Sequence, residues 1–182
     1  NMRGETEKEK LKRRLLKLLE EKKVIKTGDF ILSSGKKSNY YVDIKKAITD
    51  PQVLDLIAEL IKMNINTDKI DKIAGPALGA VPIATAVSLK TKKPLIIIRK
   101  EKKGYGTSKL IEGTIRKGDN IAIMEDVTTT GNSLLRAIKI IEENGGHVKR
   151  VFVIVDREEG AKENLQREGF ILEPLFSVSQ IK

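Results

Sequence analysis

Apolar residues along this chain recur at helical spacing in some stretches and as short unbroken runs in others, and the two patterns alternate. Leu11, Leu15, Leu18 and Leu19 fall on one face of a helix predicted over about residues 7–24. Between residues 28 and 47, Phe30-Ile31-Leu32 and Tyr40-Tyr41-Val42 bracket Ser33-Ser34-Gly35, which reads as two short strands around a turn. Asp50-Pro51 then starts a helix, with an acid at the N-cap and proline at the first helical position. Val53, Leu54, Ile57, Leu60 and Ile61 line one of its faces.

From there strands and helices take turns. Lys72-Ile73-Ala74 ends a strand, and Gly75-Pro76-Ala77-Leu78-Gly79 turns into a helix over 80–89. Residues 94–98, 121–124 and 151–155 are continuous apolar runs of the buried-strand type, and a helix is expected at about 132–144, closed by Asn144-Gly145-Gly146. Such strand–helix units predict an α/β fold, a central parallel sheet covered by helices on both faces. There is no internal repeat, low-complexity tract or second domain, so residues 1–182 read as one domain. Ligands of such sheets bind beyond the carboxyl ends of the strands. The segments after Ala74, Ile98, Met124 and Val155 are therefore where chemistry is expected.

Composition narrows the choice. Apolar residues are 40% of the chain and aromatics only 4%, so the core must be aliphatic. The absence of cysteine excludes a disulfide framework, a thiolate metal site and cysteine catalysis. No run approaches the ~18 apolar residues of a membrane helix, and the N-terminus has no signal-peptide pattern. A cytoplasmic protein with no membrane partner is expected. The net charge of +10 raises the question of nucleic acid, and its distribution answers it. Residues 1–26 carry ten Lys/Arg against five acids on a single amphipathic helix, which reads as a solvated face and is too little for a helix-turn-helix. Nucleic acid is not expected as a partner. Residues 99–109, Arg-Lys-Glu-Lys-Lys-Gly-Tyr-Gly-Thr-Ser-Lys, carry five bases against one acid in a Gly-punctuated loop. That loop calls for a negatively charged partner.

The densest chemistry follows the strand at 121–124: Glu125-Asp126-Val127-Thr128-Thr129-Thr130-Gly131-Asn132-Ser133. Two adjacent carboxylates at a strand end repel each other and are costly to desolvate. Acids alone could be caps. The hydroxyls and glycine that follow supply backbone N–H groups at a helix N-terminus, where the dipole favours an anion. The combination is a phosphate cradle beside two hydroxyl-binding carboxylates, which suits a ribose 5-phosphate. It is neither a Walker loop nor a dinucleotide turn.

Residues 121–133 resemble the phosphoribosyl pyrophosphate (PRPP) motif of type I phosphoribosyltransferases, with Thr128 where an aliphatic residue is usual. Three more segments resemble the orotate phosphoribosyltransferases in particular. Residues 30–41 (FILSSGKKSNYY) are similar to the segment that walls the orotate pocket, here with Ser33 where some relatives have lysine, and include Tyr40 and Tyr41. Residues 75–84 are similar to the turn whose backbone, at Ala77, Leu78 and Gly79, holds the pyrophosphate; some relatives have lysine at the position of Gly79. The basic loop is similar to the family's mobile catalytic loop, with Tyr105 in place of the usual histidine.

The resemblance implies a type I phosphoribosyltransferase fold, with a small N-terminal hood at about 7–48 over a core at about 50–182. It implies that Lys103 has the main catalytic role, with Arg99, Lys100 and Tyr105 at the pyrophosphate. Glu125 and Asp126 would hold the ribose, and residues Val127, Thr128, Thr129, Thr130, Gly131, Asn132 and Ser133 the 5-phosphate. Arg157, in Asp156-Arg157-Glu158-Glu159-Gly160, would bind orotate together with Thr129; a planar guanidinium suits a carboxylate, although a salt bridge to Glu158 or Glu159 is the plainer use of it. Mg²⁺ would be carried by PRPP oxygens, with no metal ligands from protein side chains. The implied assembly is a homodimer whose basic loop, 99–109, reaches the neighbouring site. A purine phosphoribosyltransferase and a PRPP-sensing nucleic-acid-binding regulator are the alternatives. The lone His147 is expected at the surface.

Overall fold

The computed structural model describes residues 4–32, 34–101 and 109–181. The hood comes first. Helix α1 (Glu7–Glu21) opens with a capping box, in which Thr6 accepts the Glu9 N–H and Glu9 reaches back to the Thr6 N–H. Leu15 and Leu19 are its fully buried residues. Strands β1 (Ile25–Ile31) and β2 (Lys37–Val42) form the expected antiparallel hairpin. A short helix that the sequence pattern did not predict, α2 (Ile44–Ala47), follows it, with the Asp43 carboxylate accepting the Lys46 N–H. Helix α3 (Pro51–Asn64) starts as predicted: Asp50 Oδ1 accepts from the N–H groups of Gln52 at 2.8 Å and Val53 at 3.3 Å. Such a cap is worth about 1 kcal/mol.

The core continues with β3 (Lys72–Pro76), α4 (Val81–Thr91), β4 (Leu95–Ile98), β5 (Ile111–Glu112), β6 (Asn120–Thr128) and α5 (Asn132–Glu143). It ends with β7 (His147–Asp156), α6 (Ala161–Arg167), β8 (Leu172–Ser177) and α7 (Val178–Ile181). The sheet order is β5-β4-β3-β6-β7-β8. All neighbours are parallel except β4 and β5, which are antiparallel, so the sheet is parallel with one reversed edge.

The unbroken apolar runs are explained by what lies on each face. In β6, Ala122 and Met124 join α1, α3 and α4 in one hydrophobic cluster, while Ile121 and Ile123 join α5 in another. In β7, Phe152 and Ile154 face the first cluster, and Val151 and Val153 the second. Successive residues point to opposite faces, and both faces are covered. Among the described residues no helix is long and apolar enough to cross a membrane.

The chain leaves β3 for β4 on one side and later places β6 on the other side of β3. The winding therefore reverses between β3 and β6. A crevice opens there at the carboxyl ends of the two strands, the position where open parallel sheets bind ligands.

Candidate active site

Strand β6 runs further than its apolar pattern suggests and carries Glu125 to Thr128 within the sheet. The neighbouring strand accounts for this, since Val127 pairs with Val155 and Thr128 with Asp156. Glu125, Asp126 and Thr128 are all buried, while Val127 packs partly against the core. Thr128 fits the strand without disturbing it, and its carbonyl accepts the Arg157 N–H at 3.0 Å.

The loop into α5 is held from behind. The Thr129 carbonyl accepts the Ala161 N–H at 3.2 Å, and the Thr130 carbonyl accepts the Asn164 side-chain amide at 2.8 Å. With the carbonyls of 128–130 tied towards α6, the N–H groups of the loop are left for the crevice. Gly131 is the N-cap of α5, at φ 84°, and a Cβ there would lie 2.6 Å from Leu165 Cδ1. Only glycine meets both demands. Helix α5 has no side-chain cap and no acid in its first turn, and Asn132 and Ser133 are exposed there. Its N-terminus is left to an anion, in contrast to the self-capped α1 and α3.

On the other side of the crevice, a cis peptide joins Ala77 to Leu78 in the turn from β3 to α4. The Ala77 N–H is used by the Ile98 carbonyl at 2.8 Å, so Ala77 shapes the turn and is not one of its free donors. The N–H groups of Leu78 and Gly79 have no partner among the described residues. Leu78 is largely exposed. Gly79 lies against Asp126: a Cβ at Gly79 would be 2.2 Å from Asp126 Oδ2 and 3.0 Å from Lys45 Cε. The two loops thus meet at the acidic pair.

Burial, and then the charge of Asp126 beside it, push the Glu125 carboxyl well above the usual range, while Lys45 pulls it down. Glu125 Oε1 accepts the Asp126 N–H at 3.1 Å. Lys45, from α2, places its Nζ 3.0 Å from Asp126 Oδ2. The sequence reading passed over this lysine. No local signal marked it, because α2 is only four residues long and the partner of Lys45 lies 81 residues away.

Arg157, after β7, is buried to 3% exposure. Its Nε pairs with Glu159 Oε2 at 2.9 Å, its Nη2 donates to Ser38 Oγ at 3.1 Å, and the guanidinium stacks 4.0 Å from the centre of the Tyr40 ring. The alternative use of Arg157, a salt bridge to Glu159, is formed, between a buried guanidinium and a partly exposed carboxylate. Asp156 accepts the Glu158 N–H at 2.9 Å and so tightens the turn that directs Arg157 inward. Tyr41 lies on Phe30, with ring centres 5.6 Å apart, and is the neighbour on β2 that faces away from Tyr40. The contacts of Arg157 with Ser38 and Tyr40, and of Lys45 with Asp126, dock the hood over the carboxyl ends of β6 and β7.

At the root of the basic loop, the Arg99 N–H bonds the Leu110 carbonyl at 2.7 Å, and Arg99 Nη1 lies 3.3 Å from Glu112. Arg136, on α5, donates to the carbonyls of Arg99 at 3.5 Å and Lys100 at 2.9 Å. This clasp ties the loop's base to the cradle helix and was not anticipated. Lys100 is exposed. Lys103 and Tyr105, like Ser33, lie outside the described residues. His147 is exposed, at the start of β7.

Residues 45–178 match the phosphoribosyl transferase domain family. The chain is 64% identical over 171 residues to an orotate phosphoribosyltransferase of Methanothermobacter thermautotrophicus, covering 94% of each chain. It superposes on the structure of Leishmania donovani UMP synthase with a TM-score of 0.82 at 34% identity, covering 92% of this chain and 36% of that one. On the Mycobacterium tuberculosis orotate phosphoribosyltransferase in complex with PRPP it does so with a TM-score of 0.75 at 30% identity, covering 94% and 98%. The uncapped α5 cradle, the acidic pair and the β3–α4 turn are thus set in a chain that belongs to the phosphoribosyltransferase family, among the orotate phosphoribosyltransferases.

Proposed function

We propose that this chain transfers the phosphoribosyl group of PRPP to orotate, giving orotidine 5′-monophosphate and pyrophosphate, a step of pyrimidine nucleotide synthesis in the cytoplasm. One observation carries the reading: Asp126 touches Gly79 across the crevice, with an uncapped helix N-terminus on one side and a donor-bearing turn on the other. A ribose between a 5-phosphate and a 1-diphosphate needs these three elements in that order.

N1 of orotate attacks C1′ while the bond from C1′ to the diphosphate oxygen breaks, its electron pair leaving with pyrophosphate. Glycosyl transfers of this kind pass through an oxocarbenium-like state. Residues 129–133 fix the 5-phosphate, and Glu125 and Asp126 hold the ribose hydroxyls, so that C1′ is aligned between nucleophile and leaving group. Negative charge on the acidic pair favours the cationic ring. Leu78 and Gly79 offer N–H groups to the diphosphate, and Arg99, Lys100 and Lys103 supply positive charge as it departs. Mg²⁺ would be carried by PRPP oxygens and water. When bound, it neutralises the leaving diphosphate.

Arg157, walled by Tyr40 with Tyr41 on the same strand and Thr129 nearby in the cradle loop, is assigned to the base. A buried guanidinium favours orotate, which brings a carboxylate, over a purine, which brings none. The functional unit is a homodimer, with the loop at 99–109 serving the neighbouring site.

Loss of orotate absorbance in the near ultraviolet, followed with PRPP and Mg²⁺, tests the reading. The wild type should turn over, and Lys103→Ala should lose roughly 10²-fold or more in kcat, the cost typical of a group that stabilises developing charge. Absence of orotate turnover by the wild type would overturn the substrate assignment. Full activity of the variant would overturn the role of Lys103.

A further inference from the structure

Lys45 is the described cation in contact with the acidic pair, and it comes from the hood. Its ammonium lies 3.0 Å from Asp126 Oδ2, although more than half of the side chain is open to solvent at 56% exposure. Burial alone would lower its pKa, but the charge of Asp126 and the hydrogen bond to it outweigh this, and the group is raised above its ordinary value. Lys45 therefore carries a full positive charge at neutral pH.

Its stem has a second neighbour. The Cε of Lys45 lies 3.0 Å from where a Cβ of Gly79 would be. The space above Gly79 is taken up by the Lys45 and Asp126 side chains, so a side chain at 79 would have to displace them. The turn that bears the unpartnered N–H groups of Leu78 and Gly79 has no cationic side chain of its own between Gly75 and Ala80. Lys45 is the cation that covers it.

We propose that Lys45 is a PRPP-binding residue, which pairs with Asp126 and, on PRPP binding, sits between that carboxylate and the diphosphate held by the β3–α4 turn. A mobile ammonium with three donors can keep its bond to Asp126 and take a phosphate oxygen with the others. By staying on Asp126 it also keeps that carboxylate turned towards the ribose. This rests on the reading of the crevice as a PRPP site and adds a residue from a different segment of the chain. The hood thereby takes part in holding PRPP as well as in walling the base.

The test is PRPP binding by titration calorimetry with Mg²⁺ and no base, on the full chain, for the wild type, Lys45→Met, Lys45→Gln and Lys45→Arg. Ligand-free melting curves accompany it and identify variants that fold. Loss of one charge-assisted contact in a solvent-open site should weaken PRPP binding by about tenfold in the Met and Gln variants. Lys45→Arg should stay within about threefold, because it keeps the charge. In turnover, the KM for PRPP should rise while the KM for orotate holds, a split that a merely structural role would not give. PRPP affinity unchanged in folded Met and Gln variants overturns the proposal, as does an Arg variant as weak as they are. A wild type that binds PRPP but leaves orotate unchanged removes the base assignment and leaves Lys45 to be judged by binding alone. A wild type that does not bind PRPP removes both.

Discussion

Glu125 shows what the site costs at the scale of one residue. Its carboxyl is pushed upward first by burial and then by Asp126. In the unfolded chain it ionises near its ordinary value of about 4.5. As pH rises past that value the unfolded state gives up its proton first, so folding stability falls until the folded group ionises as well. Glu125→Gln removes this penalty. Its ligand-free melting temperature at neutral pH should exceed that of the wild type by several degrees, with the gap closing in acid below the ordinary glutamate range. The same variant should use PRPP poorly. Equal melting temperatures at neutral pH would mean that the folded protein bears the charge without cost. Arg157 is the complementary case. The sequence favoured a ligand contact for it over a surface salt bridge to Glu158 or Glu159. The guanidinium itself is buried, at 3% exposure beside the Tyr40 ring, while its partner Glu159 stays partly exposed.

Among the elements, those that could be read from the sequence were the ones with a single environment. The strands at 94–98, 121–124 and 151–155 are covered on both faces, so each reads as an unbroken apolar run. Strand β6 exceeds its run because its last four residues are held by pairing with β7, and pairing leaves no mark on side-chain polarity. Strand β8 was not foreseen; it contains Pro174, which argues against a central strand and is tolerated here at the sheet edge. Helices α2, α6 and α7 have seven residues or fewer, too short for a periodic signal. The cradle and the acidic pair were legible as a contiguous motif. Lys45 and Arg136 were not, since each acts on a segment distant in sequence, 81 residues away for Lys45 and 36 for the Arg136 contact with Lys100. The Arg136 clasp carries a prediction of its own. Arg136→Ala should leave stability within about 0.5 kcal/mol, as expected of an exposed side chain. It should lower kcat by roughly three- to tenfold by loosening the loop base, the equivalent of one hydrogen bond. Kinetics that match the wild type would show that the clasp does not serve the loop.

For the whole molecule, the proposed homodimer can be tested by complementation. If the basic loop serves the neighbouring site, two inactive variants can rescue each other. Lys103→Ala and Asp126→Asn, each inactive alone, should on mixing and re-association regain about a quarter of wild-type activity, since half of randomly formed dimers would pair them and each such dimer has one intact site. No recovery in a mixture shown to exchange subunits would place the loop over its own site.

The division of the interior into two clusters has a further bearing on how the substrate would be felt. Helix α4, which follows the turn at 75–80, belongs to the cluster on one face of the sheet; helix α5, which follows the loop at 128–131, belongs to the cluster on the other. Nothing but the thin sheet lies between them. A molecule gripped at one end by each helix acts as a rivet through that sheet, so that either layer can loosen only by letting go of it. Slowed amide exchange on PRPP binding should therefore spread into both layers together, with α4 and α5 protected as one unit although they share no hydrophobic cluster.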